Sequence, residues 1–514
     1  MVAAGILLSR IIGLVRNRVF AHYFGTSDAA DAFNAAFRIP NFLQNLFGEG
    51  VLSASFIPVY AGLRARGQED EARTAAGIIA ALLGLAVSLL VLAGVLLTPW
   101  LIDLIAPGFE GEKREATIRL VRILFPGAGL LVLSAWCLGI LNSHGRFFLS
   151  YAAPVIWNLT IIVTLIWLGG RYEDYPLAET AAWASVLGSL LQFGIQVPAV
   201  LRLRGAAAPT TLRAGPAVRT ILANFWPVFI GRGVVQISAY VDTLISSLLP
   251  TGAVAGVSYA QVLYTLPVSL FGMSVSAAEL PAMAGATGDE SARAAELRAR
   301  LTAGLRQIAF FVVPSAVIFL ALGDVVTAAL YQTGEFTREM SVYVWAILAG
   351  AAVGLLPSTL GRLYASTYYA LHDTRTPLRF ALIRVGLSLL LAFLFAVRLP
   401  PMLGIELHWG AAGLTLASGL AAWVEYSLLR WRLQARIGAT SIPGAYLAGV
   451  WTAAVLGAAA AWLARGVIPV QQPLIRAIFL LGTFGLVYLG VTTVWGLPEA
   501  RRLTRRLWDS QSAE

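Results

Sequence analysis

About fourteen apolar stretches, each long enough to cross a bilayer, follow one another along this chain. They lie near 3–24, 30–61, 74–104, 116–142, 148–169, 177–201, 218–249, 255–285, 300–322, 339–370, 377–398, 408–430, 442–465 and 474–497. A membrane interior holds no water to bond exposed backbone, so only helices and closed barrels span it. Stretches of this length specify helices, and the chain is expected to be an all-α polytopic membrane protein. The connections are short and leave no room for a large soluble domain. Composition agrees: 58% of the 514 residues are hydrophobic and 12% are charged, with a mean hydropathy of +0.75, outside the range of soluble domains.

The net charge of +10 could point to nucleic acid, but its distribution argues for topology. One set of loops carries Arg64, Arg66, Arg73, Arg146, Arg202, Arg204, Arg430, Arg432, Arg436 and the cluster from Arg501 to Arg506. The alternate set is poor in basic residues, with Lys113 (the only lysine), Arg114, Arg171, Arg338, Arg398, Arg465 and Arg476. By the positive-inside rule the first set and both termini face the cytoplasm, and no nucleic-acid partner is expected. Arg10, Arg16 and Arg18 interrupt the first apolar run, so it reads as a mature helix rather than a signal peptide. The single Cys137 excludes intrachain disulfides and thiolate clusters, and the four histidines show no metal-ligand spacing. No metal or other cofactor is expected. A membrane enzyme such as a glycosyltransferase would need catalytic acids or histidines on interfacial loops; the acidic run Glu110 to Glu115 reads instead as a solvated turn.

An internal repeat orders the helices. An offset of about 227 residues carries Pro40 of the second helix onto Pro267 of the eighth, and LNSHGRFFLSYAAP at 141–154 resembles LHDTRTPLRFALI at 371–383. Six helices per repeat give both copies the same orientation, as in transporters built from parallel repeats. The expected organisation is two pseudo-symmetric six-helix lobes, 1–205 and 206–440, followed by an appended helix pair and cytoplasmic tail at 441–514.

The second helix departs most from a plain apolar span. At helical spacing, Asp31, Asn34, Arg38, Asn41, Asn45 and Glu49 share one face. An ionisable group at mid-membrane costs roughly 2.5–3.5 kcal/mol on insertion scales, and such groups usually face a bundle interior or a watery cavity. The first helix adds Arg10 and Arg16, and the seventh adds Arg232 and Gln236 on a face with Tyr240, Thr243 and Ser247. The counterpart stripe on the eighth helix is uncharged: Ser258, Gln261, Thr265, Val268, Gly272 and Ser276. Arginines outnumbering acids around one cavity favour an anionic solute, above all a phosphate, which guanidinium binds through paired hydrogen bonds. Structural roles compete. Arg16 and Arg18 also suit snorkelling or a pair with Asp31, Arg10 a topology anchor, and Arg38 an ion pair with Asp31 or Glu49. Trp157 and Asn158 suit packing or an interface, and Arg384 and Glu425 suit a pair or a lining of the second lobe.

The run ADAFNAAFRIPNFLQNLFGEGVLSASFIPVY at 30–60 resembles the signature of the MurJ (MviN) family of lipid II flippases, within the multidrug/oligosaccharidyl-lipid/polysaccharide exporter superfamily. LSRIIGLVRNRVFAHYFG at 8–25, APGF at 106–109, FPGAGLLVLSAWCLGILNSHGRF at 125–147 and GEFT at 334–337 extend the resemblance over essentially the whole chain. It implies a transporter rather than an enzyme. The cargo would be the undecaprenyl-pyrophosphate-linked peptidoglycan precursor, moved from the inner to the outer leaflet of the bacterial cytoplasmic membrane by alternating access. Its head group would sit in a central cationic cavity and its tail in a groove of the last two helices. Arg10 and Arg16 match the family's functional first-helix arginines, and Asp31 its second-helix acid. The resemblance further implies coupling to an ion gradient or the membrane potential, with membrane lipids and cell-wall synthesis proteins as partners. Two positions depart from the pattern: Gln44 and Asn45 stand where the family commonly has arginine, as does the segment Tyr259-Ala260-Gln261-Val262. Arg38 and Arg232 are the candidate replacements. The departures leave open an exporter of another polyprenyl-linked glycan or a small molecule of the same superfamily.

Overall fold

A computed structural model describes residues 2–47, 51–52, 55–204, 215–285, 289–467 and 472–503, with the side chains of 2–6, 204 and 227–239 outside the description. Among the described residues the chain is helical throughout and contains no strand. By Cα proximity it divides into two compact units, Met1–Ala255 with Thr333–Phe336, and Gly256–Gln332 with Thr337–Glu514.

The first unit holds α1 (Val2–Phe24), α2 (Asp28–Phe47), α3 (Ile57–Ala65), α4 (Glu69–Ile105), α5 (Gly111–Ser143), α6 (Phe147–Leu168), α7 (Asp174–Arg204) and α8 (Pro216–Ser247). Helix α5 is its hub and packs on α7, α2 and α4, while α6 packs on α7 and α1. Between hydrocarbon-bound helices the hydrophobic effect supplies little, so close contact and polar bonds must do the holding. Gly188 of α7 shows the first device: a Cβ there would lie 3.0 Å from the backbone of Trp157 on α6. The second is a buried ladder in which Gln192 donates to the Ser134 hydroxyl at 3.1 Å, and Ser134 donates to Gln196 at 3.0 Å.

In the second unit, α9 (Ala253–Pro267, whose first three residues fall in the first unit) runs through a π-helical segment, Val268–Met273, into α10 (Ser274–Ala284). It continues with α11 (Glu290–Ala321), α12 (Gly323–Tyr331), α13 (Arg338–Ala352), α14 (Leu355–Ala370) and α15 (Arg375–Phe393). After the short α16 (Leu399–Met402) come α17 (Gly410–Ile437), α18 (Gly444–Val467) and α19 (Pro473–Val494). Helix α17 packs on α13, α14 and α15. Arg384 on α15 pairs with Glu425 on α17 at 3.0 Å, the first of the two roles expected for them. The last two helices pack on each other, α18 on α11 and α19 on α12. Tyr488 donates to the Phe310 carbonyl at 2.6 Å and Trp462 to the Ala321 carbonyl at 2.9 Å.

Ten described helices are long and apolar enough to cross a membrane, or eleven if α13 and α14, bent by 41° at their junction, count as one span. Leu85, Leu89, Leu390 and Leu486 are among the large apolar side chains they leave exposed, a surface that lipid covers. Of the other three expected spans, α1 falls short because Arg10, Arg16 and Arg18 crowd it, and α2 because its polar stripe breaks the apolar run. The third is α8, whose central side chains lie outside the description.

Two helix ends at the repeat offset terminate in the same way. At the end of α5, Arg146 N–H donates to Leu141 O at 2.9 Å and Gly145 N–H to Asn142 O at 3.0 Å, with Gly145 at φ 71°. At the end of α14, Asp373 N–H donates to Tyr368 O at 2.9 Å and His372 N–H to Tyr369 O at 3.0 Å, with His372 at φ 58°. Both are the left-handed termination in which two amides beyond the helix satisfy its last carbonyls. They stand at the same offset as Pro40 and Pro267.

Candidate functional site

The stripe on α2 is graded in exposure. Asp31 is 1% exposed, Asn34, Arg38 and Asn41 are half-buried, and Asn45 is exposed. Polar groups cost most where they are sealed without partners, so the sealed end should be the best bonded. It is. Asp31 accepts from Lys113 Nζ at 2.7 Å, from Gly252 N–H at 2.8 Å and from Ala255 N–H at 2.7 Å. Lys113 also pairs with Asp28 at 2.8 Å, and Thr251 donates to the same Asp28 oxygen at 2.8 Å. Burial works to raise the Asp28 carboxyl, but the Lys113 and Thr251 bonds outweigh it and hold Asp28 below the usual carboxylate range.

Three loops meet around this clasp because small residues let their backbones touch. Gly252 sits at φ 91°, where a side chain is strained, and a Cβ there would lie 2.8 Å from Thr26 O. A Cβ on Gly108 would lie 2.0 Å from Ser247 O, and the Gly108 amide donates to the Ser247 hydroxyl at 3.3 Å. The turn at 333–336 joins the same unit, with Glu335 N–H donating to His22 O at 2.9 Å and His22 Nδ1 within 2.8 Å of the Thr333 hydroxyl. The APGF and GEFT segments are therefore packing elements here.

The Asp31 carboxylate is taken by Lys113 and two backbone amides rather than by Arg16, Arg18 or Arg38. From sequence alone Lys113 is only a loop charge. Its one available signal was its singularity, an ammonium in a chain whose other cations are arginines. An ammonium can meet two carboxylates as a compact point charge on a flexible stem, where a planar guanidinium would be awkward.

Arg16 lies with its guanidinium 4.9 Å from the Trp157 ring centre and donates to the Asn17 side chain at 2.8 Å. Trp157 also packs on Phe37 of α2, ring centres 5.7 Å apart, and its indole N–H bonds Ser185 at 3.1 Å. One aromatic ring thus links Arg16 on α1 to the second helix. Its packing role matches the expectation for it, and Asn158 likewise donates to the Pro154 carbonyl at 2.9 Å. Arg10 is exposed on the same helix. Tyr240 of α8 donates to the Arg38 carbonyl at 3.2 Å, and the Asp242 carboxylate is close enough to attract the Arg38 guanidinium. Glu49 and the side chains of Arg232 and Gln236 lie outside the described residues.

In the second unit Gln261 is exposed on α9, and its amide lies 3.3 Å from the Thr265 hydroxyl. Thr265, the next position of the uncharged stripe, also donates its hydroxyl to the Gln261 carbonyl at 2.8 Å. Val268, Gly272 and Ser276 are buried, and the helix passes there through the π-helical segment Val268–Met273, whose residue period differs from that of an α-helix.

The profile described as "Lipid II flippase MurJ" matches residues 20–483. A lipid II flippase MurJ of Burkholderia cenocepacia is 31% identical over 430 residues, covering 82% of this chain and 80% of that protein. A probable lipid II flippase MurJ of Rhizobium meliloti is 32% identical over 535 residues, covering 100% and 97%. Among solved structures, a lipid II flippase MurJ in an inward closed conformation superposes with a TM-score of 0.79 at 24% identity, covering 96% of this chain and 98% of that one. An inward-facing multidrug resistance MATE transporter of the MOP superfamily gives 0.67 at 18% identity, covering 83% and 95%.

Proposed function

The chain belongs to the lipid II flippase MurJ family, and from that membership we propose that it moves lipid II, the undecaprenyl-pyrophosphate-linked peptidoglycan precursor, from the inner to the outer leaflet. It is a multi-pass inner-membrane transporter rather than an enzyme. Alternating access carries the head group while the tail stays in lipid. The observation that carries this reading is the graded stripe of α2. A helix that seals a carboxylate at one end and exposes an amide at the other, within a chain otherwise built for hydrocarbon, suits a polar passage.

The head group is held by Arg10 and Arg16 of α1, Arg38, Asn41, Asn45 and Glu49 of α2, Arg232 and Gln236 of α8, and Gln261 of α9. Arginine supplies paired hydrogen bonds to pyrophosphate. Asp31 belongs to the site through the clasp that fixes one end of the stripe. Both termini face the cytoplasm, as the loop arginines require. No cofactor is needed, since an anionic head group moving outward across an inside-negative membrane is driven by the field. The partners are membrane lipids and the cell-wall synthesis proteins that consume the product.

The test is complementation in bacteria depleted of their own lipid II flippase. The parent chain should restore growth, and well-expressed Arg16→Ala should not. Failure of a properly inserted parent would assign the chain another polyprenyl-linked glycan, with Gln44, Asn45 and Val262 as the altered contacts.

A further inference from the structure

The expected outer loops are poor in basic residues, yet three of their few arginines meet in one place. Arg338, Arg465 and Arg476 line a cavity of about 470 Å³ in the second unit, together with Asp324, Gln332 and Ser341. Asp324 pairs with Arg465, so the three arginines against one carboxylate leave the cavity positive. Two helix N-termini also open on it, α13 at Arg338 and α19 at Pro473, and their amides add to the positive potential. The sequence accounts for these arginines only as loop charges, and the head-group passage uses none of them.

The polar groups of this cavity are incompletely bonded. Asp324 Oδ1, Arg465 Nε and Arg476 Nε are buried and have no hydrogen-bond partner among the described residues. A buried donor left unmade is costly, and guanidinium N–H groups are donors only. A concave, positive cavity lined by three guanidinium groups matches the oxygens of a phosphate group. The surroundings define what carries that phosphate. On the same helix ends Leu463 is 78% exposed, Val467 81%, Leu474 55% and Ile478 64%. An apolar surface of this kind beside a cation-lined recess fits a head group whose tails lie along α18 and α19.

We propose that this cavity binds the phosphate of an anionic lipid head group. On the orientation proposed above, it does so at the outer leaflet. None of the residues that line it belongs to the α1–α2–α8 stripe. The two lipid sources with this chemistry are a phospholipid such as phosphatidylglycerol and a polyprenyl pyrophosphate.

The test is native mass spectrometry of the full chain in micelles with phosphatidylglycerol or phosphatidylcholine added. The parent should retain phosphatidylglycerol roughly tenfold better, and Arg338→Gln with Arg476→Gln should remove that preference. Asp324→Asn should strengthen retention, an effect of opposite sign that misfolding does not produce. Arg114→Gln, which alters an outer-loop arginine paired with Asp103 at 2.7 Å, should change nothing. Displacement of phosphatidylglycerol by farnesyl pyrophosphate would assign the site to a polyprenyl pyrophosphate, and resistance to it to a phospholipid. Equal retention of both phospholipids by the parent, or an unchanged preference in the double variant, would overturn the proposal. Displacement by inorganic phosphate at the same concentration as by the lipids would overturn its lipid part.

Discussion

Asp31→Ala should destabilise the first unit severely, because three donors converge on a carboxylate that is 1% exposed. The substitution leaves the Lys113 ammonium, itself only 15% exposed, with Asp28 alone, and strips two buried amides, Gly252 and Ala255, of their acceptor. Breaking a buried ion pair by removing one partner costs about 3–5 kcal/mol, and an orphaned buried donor about 1–3 kcal/mol. These terms overlap, since water entering the vacated space relieves part of each, so a net loss of about 4 kcal/mol is expected. For a unit of this size that corresponds to a fall of roughly 5–10 °C in thermal midpoint. Asp31→Asn keeps an acceptor oxygen and loses mainly the charge pairing, about 1.5–3 kcal/mol. Lys113→Ala should resemble Asp31→Ala, and the double variant should cost far less than the two singles together, because both disrupt one clasp. The assay is thermal unfolding of purified protein in micelles, with Asn45→Ala as the exposed control on the same face. A full-strength midpoint in Asp31→Ala, or strict additivity with Lys113→Ala, would refute the clasp.

Gly108→Ala should lower the thermal midpoint, since its Cβ would lie 2.0 Å from Ser247 O, whereas Gly13→Ala, which meets nothing within 4 Å, should not. Arg38→Ala and Arg232→Ala should each reduce complementation at normal expression; intact growth in both would show that neither replaces the arginines absent at Gln44, Asn45 and Val262. Trp157→Ala should weaken transport less than Arg16→Ala does, because the ring supports the guanidinium without meeting the head group, and comparable initial transport rates would contradict that ordering. Burial works to raise Asp373, but its bonds from Thr376 and the Arg436 guanidinium at 2.8 Å outweigh it and hold it below the usual carboxylate range. A depressed carboxylate contributes stability above its unfolded pKa and loses it as pH falls through the folded value. Asp373→Asn should therefore flatten the acid limb of the stability profile below about pH 4 and leave its alkaline limb unchanged.

The all-helical membrane architecture was legible because apolar runs of bilayer length admit few alternatives. Pro40 and Pro267 give an offset that the terminations at Gly145 and His372 share. The polar stripe of α2 was readable as a face because that helix keeps its 3.6-residue period from Asp31 to Asn45. The same spacing cannot be carried past Thr265 in α9, where the π-helical segment Val268–Met273 changes the period without a residue pattern that announces it. Lys113 was missed for a different reason. Its partners are remote in sequence, and local spacing carries no information about which loop a side chain will meet. The cavity of Arg338, Arg465 and Arg476 was hidden in the same way, as three loop charges far apart along the chain.

The most direct test of transport is to follow labelled lipid II in spheroplasts where this chain is the sole flippase, adding from outside an enzyme that cleaves lipid II. The parent should render lipid II cleavable and Arg16→Ala should leave it protected. Protection with the parent, or equal cleavage with well-expressed Arg16→Ala, would contradict transport of lipid II through the charged stripe.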